Sequence, residues 1–246
     1  VVTIDLLNLM KEEVLYSEFQ PLMNSSNDQI FAYEALMRTT PRINPLTLIR
    51  FARSHGVLYD LDTNCIKNAV KEFPFTLYRH HFLFINLLPS TLVHHHFENF
   101  INNLMTCFPH IRGRVVFEIN EDVAEEEIWS SILFYERLNF LKSQGFHIAF
   151  DDLPVARASF EKMESISPDF VKLDHTKSNG LSHSKDKQQL VSLFLEYTNE
   201  KMQLVLEGIE TEKDLITAKE LGVPLLQGYY ISKPMPLEML RKAEII

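Results

Sequence analysis

The chain has 246 residues, 46% hydrophobic and 23% charged, an ordinary globular composition with ample apolar material for a core. Its formal net charge of -9 argues against non-specific binding to a nucleic-acid polymer, which needs a basic face. The only cysteines are Cys65 and Cys107, far apart, which excludes a disulfide framework or thiolate zinc cluster and points to a reducing cytoplasm.

The opening stretch VVTIDLLNLM carries Asp5 and no basic leader, so no signal peptide is expected. No apolar run approaches the ~20 residues of a membrane-spanning helix. Short β-rich runs are predicted over 18–23, 31–37, 81–87, 114–119, 146–152, 169–174, 202–207 and 224–230. Several are continuous apolar runs, as in strands covered on both faces. Helical patterns fall over 45–55, 59–72, 91–105, 122–143, 156–165, 186–200 and 211–221. Gly145 and Gly222 follow two of these at positions suited to a left-handed cap, and Thr211 can cap another. Strands alternating with helices predict an α/β fold, a (β/α)8 barrel with 1–246 as one domain. The first two strands are joined only by NSSNDQI, too short for a helical crossover, so that pair should be an antiparallel hairpin. The polar stretch 175–187 is expected to be the least ordered.

Each run from the second onward carries a polar group within it or at its end: Glu34, Asn86, Glu118, Asp151 with Asp152, Lys172 with Asp174, Glu207 and Gln227. In a parallel barrel those ends converge on one mouth, where barrel enzymes keep their active sites. A ring of carboxylates repels itself and raises its own pKa values. Divalent cations relieve that repulsion, and oxygen ligands without thiolates favour hard ions, Mg²⁺ or Mn²⁺. One of the adjacent aspartates can then bridge two ions while the other serves the second. Two ions suit in-line attack at a phosphodiester.

These residues stand in motifs that resemble the EAL domain, whose active members are cyclic di-GMP phosphodiesterases. FQP opens the resemblance, followed by EALMR, FINLLPSTL, FEINE, PDFVKLD, LEGIET and QGYYISKPMP, in the family's order and spacing. The resemblance implies a modified TIM barrel with one antiparallel strand. It implies that Glu34, Asn86, Glu118, Asp151 and Glu207 are ligands to two Mg²⁺ or Mn²⁺ ions, with Asp152 serving the second. By the same carry-over Lys172 holds the attacking water, Gln227 hydrogen-bonds water or ligand, and Arg38 meets a substrate phosphate. Glu210 would anchor the loop after the fifth strand. The reaction implied is hydrolysis of cyclic di-GMP to the linear dinucleotide pGpG. A homodimer, and a sensory or regulatory domain in the full-length protein, are the expected partners.

One motif departs. After the paired aspartates the family reads Phe-Gly-Thr-Gly-Tyr-Ser-Ser, whereas this chain reads Leu153-Pro154-Val155-Ala156-Arg157-Ala158-Ser159. Glycine permits positive φ, while Pro154 fixes φ near −65° and removes an N–H, so an altered loop path is expected. Two readings follow: a phosphodiesterase weakened by this loop, or a catalytically silent domain acting as a cyclic di-GMP receptor or protein-interaction module.

Overall fold

The computed structural model describes residues 14–120, 125–151, 157–198 and 201–242. Strand β1 (Leu15–Asn24) turns back on β2 (Ile30–Thr39) as an antiparallel hairpin, with Gln20 opposite Glu34. Asn24 shapes the turn: its Oδ1 accepts from the Ser26 amide at 2.9 Å, and its own amide donates to Gln29 O at 2.8 Å. There follow β3 (Phe82–Asn86), β4 (Val115–Asn120), β5 (His147–Asp151), β6 (Phe170–Leu173), β7 (Gln203–Leu206) and β8 (Leu225–Leu226). From β2 to β8 neighbours pair in parallel, and β1 closes the barrel against β8 antiparallel. This is the α/β modified TIM barrel that the short first connection predicts.

Inside the barrel, Leu22, Ala32, Phe84, Val116, Ala149, Phe170, Val205 and Leu225 form one apolar layer. Side chains alternate faces along a strand, so the next inward residue lies two positions away. Along β2 to β8 that residue is Glu34, Asn86, Glu118, Asp151, Lys172, Glu207 and Gln227. Along β1, which runs the opposite way, it is Gln20. A polar layer thus rests directly on an apolar plug. The outward strand faces pack against the helices in a larger core that includes Ile66, Phe117, Trp129, Phe134 and Phe150.

Several predicted elements differ from those observed; the helix expected over 91–105, for one, is split into Pro89–Leu92 and Phe97–Cys107. The last strand ends at Leu226, because the chain turns where Gly228 presses on the Ile209 backbone. A Cβ there would meet Ile209 O at 2.1 Å. The helix expected over 122–143 is interrupted: Glu126–Trp129 ends, and Ser131 caps a new helix, Ile132–Ser143, by accepting from the Phe134 amide. The stretch 175–187 is ordered as a short helix, His175–Ser178, a turn in which Leu181 is fully buried, and the start of the helix Lys185–Thr198. Asp214 holds it, accepting from the Ser182 amide at 2.8 Å.

Candidate active site

The polar layer gathers most of the residues singled out in the sequence. Lys172 is 1% exposed, and its Nζ stands among four carboxylates: 2.5 Å from Glu207 Oε1, 2.6 Å from Glu118 Oε1, 3.3 Å from Glu34 Oε2 and 4.0 Å from Asp151 Oδ1. Gln227 Nε2 donates to Glu34 Oε2 at 2.8 Å, and Asn86 Nδ2 to Glu34 Oε1 at 3.4 Å. Glu34 is therefore hydrogen-bonded on both oxygens. Glu118 is fully buried; its Oε1 faces only the Lys172 ammonium, and among the described residues its Oε2 and the Gln227 Oε1 are without a donor.

The charges follow from this packing. Burial disfavours the Lys172 ammonium, yet Asp151, Glu118, Glu207 and Glu34 together raise its pKa well above the ordinary value. Lys172 is thus a fixed cation; it can orient and polarise a neighbour but is no proton acceptor at neutral pH. Burial works to raise Glu34 too, but the Lys172 charge and hydrogen bonds from Gln227, Lys172 and Asn86 bring it below the usual carboxylate value. Glu118 goes well up, through burial and the Glu34 charge, against the pull of Lys172. Glu207 is pushed up to about 8 by burial, with the Asp151 and Glu34 charges adding to it and Lys172 opposing.

A cleft of about 410 Å³ opens over this layer, bordered by Gln20, Glu34, Asp151, Glu207 and Gln227. A larger cavity of about 940 Å³ lies beside it and shares Leu36 on its wall. That cavity reaches Arg38, Asn86 and Asn120, and is otherwise mainly apolar, with Leu46, Ile49 and Leu61 among its lining. The acids and the larger space are therefore adjacent but separate, one suited to charge and the other to a flat apolar group.

The remaining expected residues sit elsewhere. Arg38 stands at the rim, its Nε bonded to Glu18 Oε2 at 2.6 Å. Glu210 is exposed beside the cleft and accepts from Asn179 Nδ2 at 3.4 Å. The loop it was expected to anchor, 152–156, lies outside the described residues, and Asp152 with it. Gln20 belongs to the polar layer but was missed in the sequence. Its signal was available: in an antiparallel strand the inward polar residue precedes its apolar partner, here Leu22, instead of following it.

Among the described residues no three acidic side chains are grouped so as to enclose an ion by themselves, since the ammonium takes the centre.

The profile of the EAL domain family matches residues 5–234. The chain belongs to the EAL-domain family. Among EAL-domain proteins, the probable cyclic di-GMP phosphodiesterase PdeN of Escherichia coli K12 is 26% identical over 242 residues, covering 95% of this chain and 46% of PdeN. The chain spans less than half the length of the curated relatives it matches first. The EAL fold is seen equally in solved structures. PaMucR phosphodiesterase in complex with cyclic di-GMP superposes with a TM-score of 0.83 at 22% identity, covering 96% of this chain and all of that one. A calcium and cyclic di-GMP complex of Klebsiella pneumoniae BlrP1 gives 0.80 at 23%, covering 90% of this chain and 56% of that one. Among the described residues no helix is long and apolar enough to cross a membrane.

Proposed function

We propose that this EAL domain is a metal-dependent phosphodiesterase that hydrolyses cyclic di-GMP to linear pGpG. The observation that carries the reading is the convergence of Glu34, Glu118, Asp151 and Glu207 on one buried point at the barrel mouth. Four acids face a single ammonium, and Glu118 Oε2 and Gln227 Oε1 are buried without a donor among the described residues. That is a poor resting arrangement without cations and a good one with them. An all-oxygen set suits Mg²⁺ or Mn²⁺. Glu34, Asn86, Glu118, Asp151 and Glu207 would hold two such ions, with Asp152 serving the second. Bound there, the ions would supply charge neutralisation at the phosphate and Lewis-acid polarisation of water.

The chain's own residues do the rest. Lys172 donates to the attacking water and holds its lone pair toward phosphorus. Gln227 and Asn86 fix the Glu34 carboxylate. Arg38, at the rim, meets a phosphate of the substrate. The apolar layer beneath closes the barrel floor to water, which strengthens each of these contacts. A water oxygen bonds to phosphorus as the bond to the ribose 3′ oxygen breaks, one water proton passes to a carboxylate of the site and the 3′ oxygen takes up a proton, so that one ring opening yields the linear dinucleotide with a free 3′ hydroxyl. The large cavity reached by Arg38 is within the ~300–1,000 Å³ range of small-ligand sites and offers an apolar wall for a base.

The reading extends to a single EAL-type barrel over 1–246, acting in the cytoplasm as a homodimer within a protein that carries a sensory or regulatory domain. The greater length of relatives named phosphodiesterases supports the further domain. The test is incubation with cyclic di-GMP and Mg²⁺ or Mn²⁺, followed by chromatography of the products. Linear pGpG that disappears with a chelator is the expected result. Bound but uncleaved dinucleotide would turn the reading toward a receptor, and neither binding nor cleavage toward an interaction module.

A further inference from the structure

One step above the carboxylate layer, the β1–β2 hairpin presents another charged group. Inward alternation continues from Gln20 to Glu18 on β1, and from Glu34 through Leu36 to Arg38 on β2. Glu18 lies opposite Leu36, so Glu18 and Arg38 are diagonal cross-strand neighbours. The Glu18 Oε2 accepts from Arg38 Nε at 2.6 Å and from Arg42 Nη2 at 3.2 Å. Glu18 is buried and the Arg38 side chain nearly so, whereas the Arg42 side chain is 67% exposed. One carboxylate oxygen therefore holds two guanidiniums at the rim.

The short segment that carries Arg42 is itself pinned. The Thr39 hydroxyl donates to Pro41 O at 2.9 Å and accepts from the Ile43 amide at 2.9 Å. Arg38 Nη1 also donates to Met37 O at 2.9 Å. A guanidinium has five N–H donors, and these bonds use two from Arg38 and one from Arg42. The trio carries a net positive charge, with donors in fixed planes and less rotamer freedom to lose on binding.

We propose that Glu18 is a positioning residue that holds Arg38 and Arg42 as a paired receptor for the substrate phosphate that is not being cleaved, and that Arg42 is a substrate-binding residue. The inference rests on the cyclic dinucleotide reading above. Such a ligand has two phosphodiesters. With one over the acids, the other lies toward the rim, where an uncompensated anion would otherwise face Glu18 alone.

Binding of cyclic di-GMP to the calcium-loaded protein, measured by calorimetry, tests this without turnover complicating the signal. Calcium is the ion present with that ligand in the Klebsiella structure. Arg42→Ala should raise Kd by about tenfold or more and flatten its dependence on salt. Arg42→Lys, which keeps the charge but loses the fork, should recover part of the loss. Glu18→Ala should weaken binding too, but should add little in the Arg42→Ala background, a coupling that general loss of structure does not produce. Thermal midpoints of all variants check the fold. If wild type binds and Arg42→Ala binds as tightly with the same salt dependence, the inference is overturned and the substrate reading survives. If wild type itself fails to bind, the substrate reading falls and the inference with it.

Discussion

The Lys172 ammonium lies 2.6 Å from Glu118 Oε1, and both groups are almost fully withdrawn from water. A buried charge pair of this kind is poorly replaced by half of itself. Lys172→Met should lower folding stability in metal-free buffer by roughly 3–5 kcal/mol, because it leaves buried carboxylates without a counter-charge. Urea unfolding measures this, and the loss should shrink when Mg²⁺ is added. A variant as stable as wild type in chelator would mean that the acids are not held by Lys172.

Glu34 stands where Gln227, Asn86 and Lys172 meet. Glu34→Ala should abolish metal-dependent turnover of cyclic di-GMP while leaving the barrel folded, as judged by circular dichroism. Turnover at the wild-type rate would place the chemistry elsewhere.

The Glu207 carboxyl, pushed up to about 8, is largely protonated at neutral pH in the metal-free protein. A divalent ion binds the carboxylate, so binding at pH 7 should release a proton. Calorimetry in two buffers of different ionisation enthalpy reads the release directly. An apparent binding enthalpy independent of buffer would contradict it.

Asp62 offers a pH test of the fold itself. Burial raises its pKa from an ordinary 3.8 to about 7, only partly countered by the Leu88 amide that donates to it at 3.0 Å. The folded state therefore keeps a proton that the unfolded chain releases. The associated stability is complete below pH 3.8 and is lost as pH rises toward about 7. Asp62→Asn removes this dependence, so relative to wild type the variant should gain stability between pH 5 and pH 8. An equal difference at both values would count against a buried, proton-holding Asp62.

Gly208 should tolerate no side chain. Its φ is +69°, and an added Cβ would meet His175 Cβ at 2.4 Å and His175 Cα at 2.6 Å. Gly208→Ala should cost about 1–3 kcal/mol or more in stability, and should weaken metal binding by displacing the adjacent Glu207. Thermal unfolding and metal titration of the variant check both effects.

Much of this site is legible before any coordinates, for a simple reason. In parallel strands a polar residue two positions beyond an apolar one must share its face, so Glu34 above Ala32 and Glu118 above Val116 follow from alternation alone. The antiparallel β1 follows from a connection too short to cross over. What could not be read depends on register and distant contact. The Glu18–Arg38 bond is diagonal across a hairpin whose register appears only on folding. The early end of β8 comes from Gly228 pressing on Ile209, and the order of 175–187 comes from Asp214, both on other elements. Motif and alternation place Lys172 at the mouth; only packing shows its ammonium seated among all four acids.

The most direct test of the account is anomalous diffraction from crystals soaked in manganese. Two peaks enclosed by Glu34, Asn86, Glu118, Asp151 and Glu207, with Asp152 on the second, are expected. Density showing no ion there, with the four acids still closed around Lys172, would contradict it.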